Sequence, residues 1–444
     1  MGTIPILTAR TAVSAGPELA VLPNPAYVDE AVTVRLSGAA PGVKVTLRAS
    51  VNDDAGHKWE SSGVYIAARD GSVDTAAQES IGGSYRGTGA GGLFWSMSLG
   101  AHAGMEQATF CKESSDPDRV NFVAETSAGA IASASLERRW LAPDVETREL
   151  REDGLVGRLY VPQKNGRRPV VIVLGGSGGG YDIDKAALLS HYGFATLALA
   201  YFGIPPLSQW LHRVPVEYFR CALAWLDAQE DVDARRVGLL GVSRGAELAL
   251  LLGSRLPKVR AVVAYAPSAI AWGSGGRDRV TGEIIPCWTC EGEAIPFAPL
   301  RLQRFIVRSA IPVGLLRRPV KFWNLFRSAL RDRDAVARAA IPVERTRGPI
   351  LLISGGDDHV WPAARMAEML VARLRSQGFA YAVEHLHYPQ AGHLLRYPSL
   401  PTTARVSRSR GVKFPISFGG TAEADAHAQE ETWRRSIVFF QENL

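Results

Sequence analysis

A serine, a pair of adjacent carboxylates and a histidine stand in chain order at Ser243, Asp357-Asp358 and His393. Together these residue types can activate a hydroxyl for attack on a carbonyl. A serine hydroxyl is too weak an acid to react unaided. It needs an imidazole to take its proton, and the imidazole needs a carboxylate to fix its tautomer. Ser243 sits in Gly241-Val-Ser-Arg-Gly245, after the apolar run Val237–Val242 and ahead of a helix-favouring stretch, Ala246 to Leu256. A G-x-S-x-G pentapeptide between strand and helix is the pattern of a nucleophile elbow. Side chains at Gly241 and Gly245 are expected to collide with the neighbouring strand and helix.

The acid and base follow in the required order. Leu351-Leu-Ile-Ser-Gly-Gly-Asp-Asp-His-Val-Trp-Pro362 reads as a strand, a glycine turn, carboxylates and a proline opening a helix. Asp358 occupies the acid position, and Asp357 is the alternative, with bracing of the turn as its other role. His393 lies just after the strand Val383–Tyr388 and a small-residue turn, where a base belongs. His385 and His387 fall within the strand, and His359 adjoins the acid. The oxyanion formed on attack needs two backbone N–H donors. One is expected from Arg244, directly after the nucleophile. The other is expected from Gly176 or Ser177 in the run Gly175-Gly-Ser-Gly-Gly-Gly180. A phosphate-cradling reading of that run fails, because no G-K-[ST] follows it.

The surrounding elements must hold these groups. From about Val145, strand and helix patterns alternate. Strands are predicted at Leu155–Val161, Val170–Leu174, Gly193–Leu199, Arg236–Gly241, Val259–Tyr265, Gly348–Ser354 and Val383–Tyr388. Helices are predicted at Pro215–Ala228, Met366–Gln377 and Ala422–Leu444. This predicts an α/β fold with a mostly parallel sheet, of the α/β-hydrolase kind, over residues 146–444. Residues 1–145 carry short alternating runs such as Ala31–Leu36, Val43–Arg48 and Val120–Val123, separated by turn formers, and read as an antiparallel β-sandwich. Between residues 271 and 340 the rhythm breaks into arginines interleaved with Phe305, Phe322, Trp323 and Phe326. That stretch reads either as an insertion forming a lid or as a basic helix pair covering apolar surface.

At 444 residues, with 46% hydrophobic and 21% charged residues, the chain is expected to be a soluble two-domain protein. The formal charge of +6 suits an anionic ligand, but no nucleic-acid-binding motif accompanies it. No apolar run of 18 residues and no signal-peptide pattern occurs, so a cytoplasmic location is expected. Cys111, Cys221, Cys287 and Cys290 are too few and scattered for a disulfide framework. Cys287-x-x-Cys290 lacks a second pair or nearby histidines to complete a zinc site. No metal or organic cofactor is expected.

With these parts placed, the chain resembles the type I acyl-CoA thioesterase and bile acid-CoA:amino acid N-acyltransferase family. The resemblance is carried by Gly92-Leu-Phe-Trp-Ser-Met97, Gly241-Val-Ser-Arg-Gly-Ala-Glu247, Gly355-Gly-Asp-Asp-His-Val-Trp361 and Tyr388-Pro-Gln-Ala-Gly-His393. The tail Gly419–Gln429, with Trp433 and Phe439-Phe440, completes it. It implies an immunoglobulin-like first domain before the α/β-hydrolase domain. It also implies attack on an acyl-CoA thioester, an acyl-enzyme on Ser243 and release of CoA. Family members specialised for amino-acid transfer tend to carry cysteine as nucleophile, so Ser243 favours hydrolysis. On this resemblance the basic insertion, including Arg317 and Arg318, is placed to receive CoA phosphates, which arginine binds in bidentate fashion. The alternatives are transfer to an amino acid, a carboxylesterase or dienelactone-type reaction, a carrier-bound thioester substrate, and a non-catalytic binding module.

Overall fold

A computed structural model of the protein describes residues 16–89, 91–100, 109–163, 166–302, 305, 318–407 and 415–444. Its N-terminal part holds two sheets. Glu18–Leu22, Thr33–Ser37 and Val73–Asp74 form the smaller one. The larger runs in the order Ala26–Tyr27, Gly129–Arg139, Asp118–Thr126, Lys44–Asn52, Lys58–Ile66 and Gly82–Gly83. Every pairing in both sheets is antiparallel except the short one between Ala26–Tyr27 and Gly129–Arg139. Alternation explains the arrangement. In Lys44–Asn52 the buried residues are Val45, Leu47, Ala49 and Val51, one face of a pleated strand. The strand Glu18–Leu22 was not among the predicted runs.

An eight-stranded sheet follows, in the order Val145–Leu150, Val156–Pro162, Ala195–Ala200, Arg168–Leu174, Val232–Val242, Val259–Tyr265, Ile350–Gly355 and Val383–Tyr388. The first two pairings are antiparallel and the rest parallel. This is the mostly parallel α/β sheet read from the sequence. Its central strands are buried on both faces, so their apolar runs are continuous rather than alternating. Val170, Ile172 and Leu174 face one core, and Val171 and Val173 face the other.

The helices sort onto those faces. Val216–Asp227, Arg244–Gly253 and Ala363–Ser376 pack on one side. Ile183–Ser190 and Ala422–Asn443 pack on the other, in a core shared with the N-terminal sheets. Ile183–Ser190 was not predicted. All eight of its residues are buried, Asp184 and Lys185 included, so its polar residues do not mark a solvent-facing side. Among the described residues no helix is long and apolar enough to cross a membrane.

Within 271–340, the described residues form the hairpin Gly273–Arg277 and Ile284–Pro286, the strand Trp288–Cys290, and the helices Trp323–Ala329 and Arg333–Ala339. Trp272, Trp288 and Phe326 are buried, so this part is anchored to the sheet domain.

Candidate active site

The strand Val232–Val242 ends directly at Ser243, and the helix Arg244–Gly253 begins directly after it. No residue is spare for a loop, so the backbone reverses at the serine itself. Ser243 is held at φ 56° and ψ −117°. Such a conformation costs a non-glycine residue roughly 1–3 kcal/mol and must be held by its surroundings. The Ser243 N–H donates to Tyr265 O at 2.9 Å, and its carbonyl accepts from Ala246 and Glu247 N–H at 2.9 and 3.0 Å. Packing is as tight as the two glycines require. A Cβ on Gly241 would stand 2.1 Å from Gly245 O, and one on Gly245 would stand 2.1 Å from Leu174 O.

The structure brings Ser243, His393 and Asp358 into one hydrogen-bonded line. Ser243 Oγ lies 2.9 Å from His393 Nε2, and His393 Nδ1 lies 2.7 Å from Asp358 Oδ2. The other Asp358 oxygen accepts the Val360 and Trp361 N–H groups at 2.7 and 3.0 Å, which leaves Oδ2 aimed at the imidazole. With an ionised Asp358, Nδ1–H is the donor and Nε2 accepts from the serine. All three residues are buried, and the imidazole is stacked near Phe418 and edge-on to Trp361. A hydroxyl, an imidazole and a buried carboxylate in this order can deliver a serine oxygen to an acyl carbon.

The competing residues are engaged elsewhere. Asp357 Oδ2 accepts the Gly420 N–H at 2.9 Å and its carboxylate lies 3.1 Å from His359. His359 also meets Lys321 Nζ and Ser417 Oγ, at 3.1 and 2.8 Å. His385 and His387 project from their strand onto Ser354 Oγ, at 2.8 and 3.2 Å.

Comparison with known proteins agrees with this layout. A family profile described as "BAAT / Acyl-CoA thioester hydrolase C terminal" matches residues 214–444. A second, "Acyl-CoA thioester hydrolase/BAAT N-terminal region", matches residues 29–152. The chain belongs to the acyl-CoA thioester hydrolase/BAAT family. "Acyl-coenzyme A amino acid N-acyltransferase 1" of Mus musculus is 30% identical over 433 residues, covering 96% of this chain and 98% of that protein. "Acyl-coenzyme A thioesterase 1" of Homo sapiens is 29% identical over 436 residues, covering 94% of each. "Bile acid-CoA:amino acid N-acyltransferase" of Mus musculus is 30% identical over 437 residues, covering 96% and 98%.

In this member of the acyl-CoA thioester hydrolase/BAAT family, a cleft of about 480 Å³ opens at the serine, bounded by Gly176, Ser177, Val360, His393 and Phe418. Gly176 lies so close to the elbow that a Cβ there would be 3.3 Å from Val242 O and 3.6 Å from Ser243 Cβ. The residue before it, just past the end of the strand Arg168–Leu174, is held by Tyr201, whose hydroxyl donates to Gly175 O at 2.5 Å. The Arg244 amide belongs to the first helical turn, where N–H groups have no intrahelical acceptor. The Arg244 side chain turns away into a buried pair with Glu247, a residue to which the sequence pattern assigned no role.

Of the two arginines expected at the CoA phosphates, Arg318 is exposed and Arg317 lies outside the described residues, as do Arg304 and Arg308. Cys287 is buried, and burial pushes its thiol up to about 12, so it stays protonated at neutral pH.

Proposed function

We propose that the protein is an acyl-CoA thioesterase that works through an acyl-enzyme on Ser243. The observation that carries this reading is the Ser243–His393–Asp358 line, at 2.9 and 2.7 Å, within a chain of this family. His393 Nε2 takes the Ser243 proton as Oγ bonds to the thioester carbon. The C–S bond then breaks, and the proton passes from the imidazole to the sulfur of CoA. Water repeats the sequence: His393 takes its proton as its oxygen bonds to the acyl carbon, the bond to Oγ breaks as the imidazolium returns that proton to Oγ, and the free acid leaves. Asp358 holds the imidazole tautomer and stabilises the imidazolium. The Arg244 amide and that of Gly176 or Ser177 receive the oxyanion.

The division of labour belongs to the same proposal. The described part of residues 1–145 forms an immunoglobulin-like domain that supports the cleft, and the domain from residue 146 onward carries the chemistry, with Arg318 meeting CoA phosphates. The setting is cytoplasmic, consistent with four cysteines that are all unpaired.

The test is a free-thiol release assay with acyl-CoAs of increasing chain length, with and without glycine or taurine, the acyl product being read by mass. Free acid with CoA release is expected whether or not an amine is present. An acyl-amino acid product would reassign the protein as an N-acyltransferase. Absence of CoA release, with cleavage of simple esters, would reassign it as a carboxylesterase.

A further inference from the structure

Behind the catalytic line lies a carboxylate with no part in the steps above. Asp425, in the helix Ala422–Asn443, is 4% exposed, and its Oδ1 accepts the Gly392 N–H at 2.7 Å. Gly392 immediately precedes His393, whose own N–H donates to Phe418 O at 2.9 Å. Both amides of the turn that carries the imidazole are therefore held by the segment 418–425. The same segment grips the acid loop through Gly420 N–H on Asp357 and a bridge between Asp358 and Gly419.

Several charged groups surround the Asp425 carboxylate. Asp357 and Asp358 face it from the acid loop, and Arg405 from the chain before Val406–Ser407. Arg396 and Arg405 border the same small cavity, of about 30 Å³, and His393 follows the donor residue directly. Burial pushes Asp425 up to about 7. Asp357 and Asp358 add to this, while the Gly392 amide and Arg405 oppose it.

We propose that Asp425 is a positioning residue for the His393 base, the charge on its carboxylate governing how firmly the Gly392–His393 turn presents the imidazole to Ser243. The proposal rests on the triad reading above. An ionised carboxylate accepts a backbone N–H about twice as strongly as a neutral group does. Protonation weakens that hydrogen bond. Activity should therefore rise with pH through two ionisations, that of Asp425 and that of the base.

The experiment measures phosphonylation of Ser243 by a fluorophosphonate, and kcat and KM for p-nitrophenyl butyrate, from pH 5 to 9. In the wild type the acid limb of log rate against pH should have a slope above one across the range in which Asp425 ionises, returning to one below it. Asp425→Asn keeps an acceptor for Gly392 but cannot ionise, so its slope should fall to one. Asp425→Ala leaves the amide unpaired and should lower kcat about tenfold, with KM held within about twofold. A single-proton limb in the wild type would overturn the proposal without any variant, as would an unchanged slope in Asp425→Asn. Failure of the reagent to label Ser243 in the wild type would instead sink the triad reading beneath it.

Discussion

The Arg244 guanidinium meets the Glu247 carboxylate at 2.8 Å, both side chains buried, one helical turn beyond the serine. Glu247 also accepts the Trp272 N–H at 3.0 Å and Trp288 Nε1–H at 2.7 Å, while Arg244 donates to Gly273 O at 3.1 Å. The pair thus ties the elbow helix to the segment that follows the strand Val259–Tyr265. Removing one partner strands the other charge in the core. Glu247→Ala should therefore lose about 3–5 kcal/mol of unfolding free energy in urea titration. A loss below about 1 kcal/mol would mean that water reaches Arg244 and solvates it.

Ser243→Ala should lower kcat at least about 10⁴-fold with the melting temperature nearly unchanged, since only a hydroxyl facing the cleft is lost. Turnover near the wild-type level in a folded variant would remove Ser243 from the chemistry.

Asp358 and Asp357 are neighbours with different partners, His393 and Gly420. Asp358→Asn should lower kcat about 10²–10⁴-fold by disturbing the imidazole tautomer. Asp357→Asn, which keeps an acceptor for the Gly420 amide, should stay within about tenfold. The reverse ranking would transfer the acid role to Asp357.

Arg318→Glu tests recognition rather than chemistry. On the proposed CoA reading it should raise KM for butyryl-CoA several-fold, roughly 1 kcal/mol of binding, and leave KM for p-nitrophenyl butyrate alone. Equal effects on the two substrates would place the CoA phosphates elsewhere.

Acid stability should depend on Asp184, which lies 2.6 Å from both Arg396 Nη2 and the Tyr397 hydroxyl. Burial raises its pKa, but Arg396, Lys185 and the hydrogen bonds from Tyr397 and the Lys185 amide outweigh it and hold the carboxyl below its ordinary value of 3.8. A depressed folded-state pKa adds stability above the unfolded value, and that contribution is lost as pH falls through the folded one. The gap in unfolding free energy between wild type and Asp184→Asn should be constant from pH 7 to 5 and shrink below about pH 4. A gap that widens on acidification would contradict this linkage.

Sequence alone determined the parts whose geometry is local. The elbow is a strand, a serine and a helix with no intervening residue, and steric exclusion at Gly241 and Gly245 writes that turn into five consecutive positions. The strands Val259–Tyr265 and Val383–Tyr388 were legible to the residue, because β-branched and aromatic runs bounded by turn formers are local signals too. Tertiary structure decided the rest. Which of two adjacent aspartates meets the histidine depends on where a turn 35 residues away comes to rest. The helix Ile183–Ser190 buries Asp184 and Lys185 along with its apolar residues, so no solvent-facing period marks it. Glu247 reaches Trp272 and Trp288 across 25 and 41 residues, and Asp425 reaches Gly392 across 33. Buried polar groups find partners wherever the chain returns, and that return is set by the packing of the whole sheet rather than by neighbours in sequence.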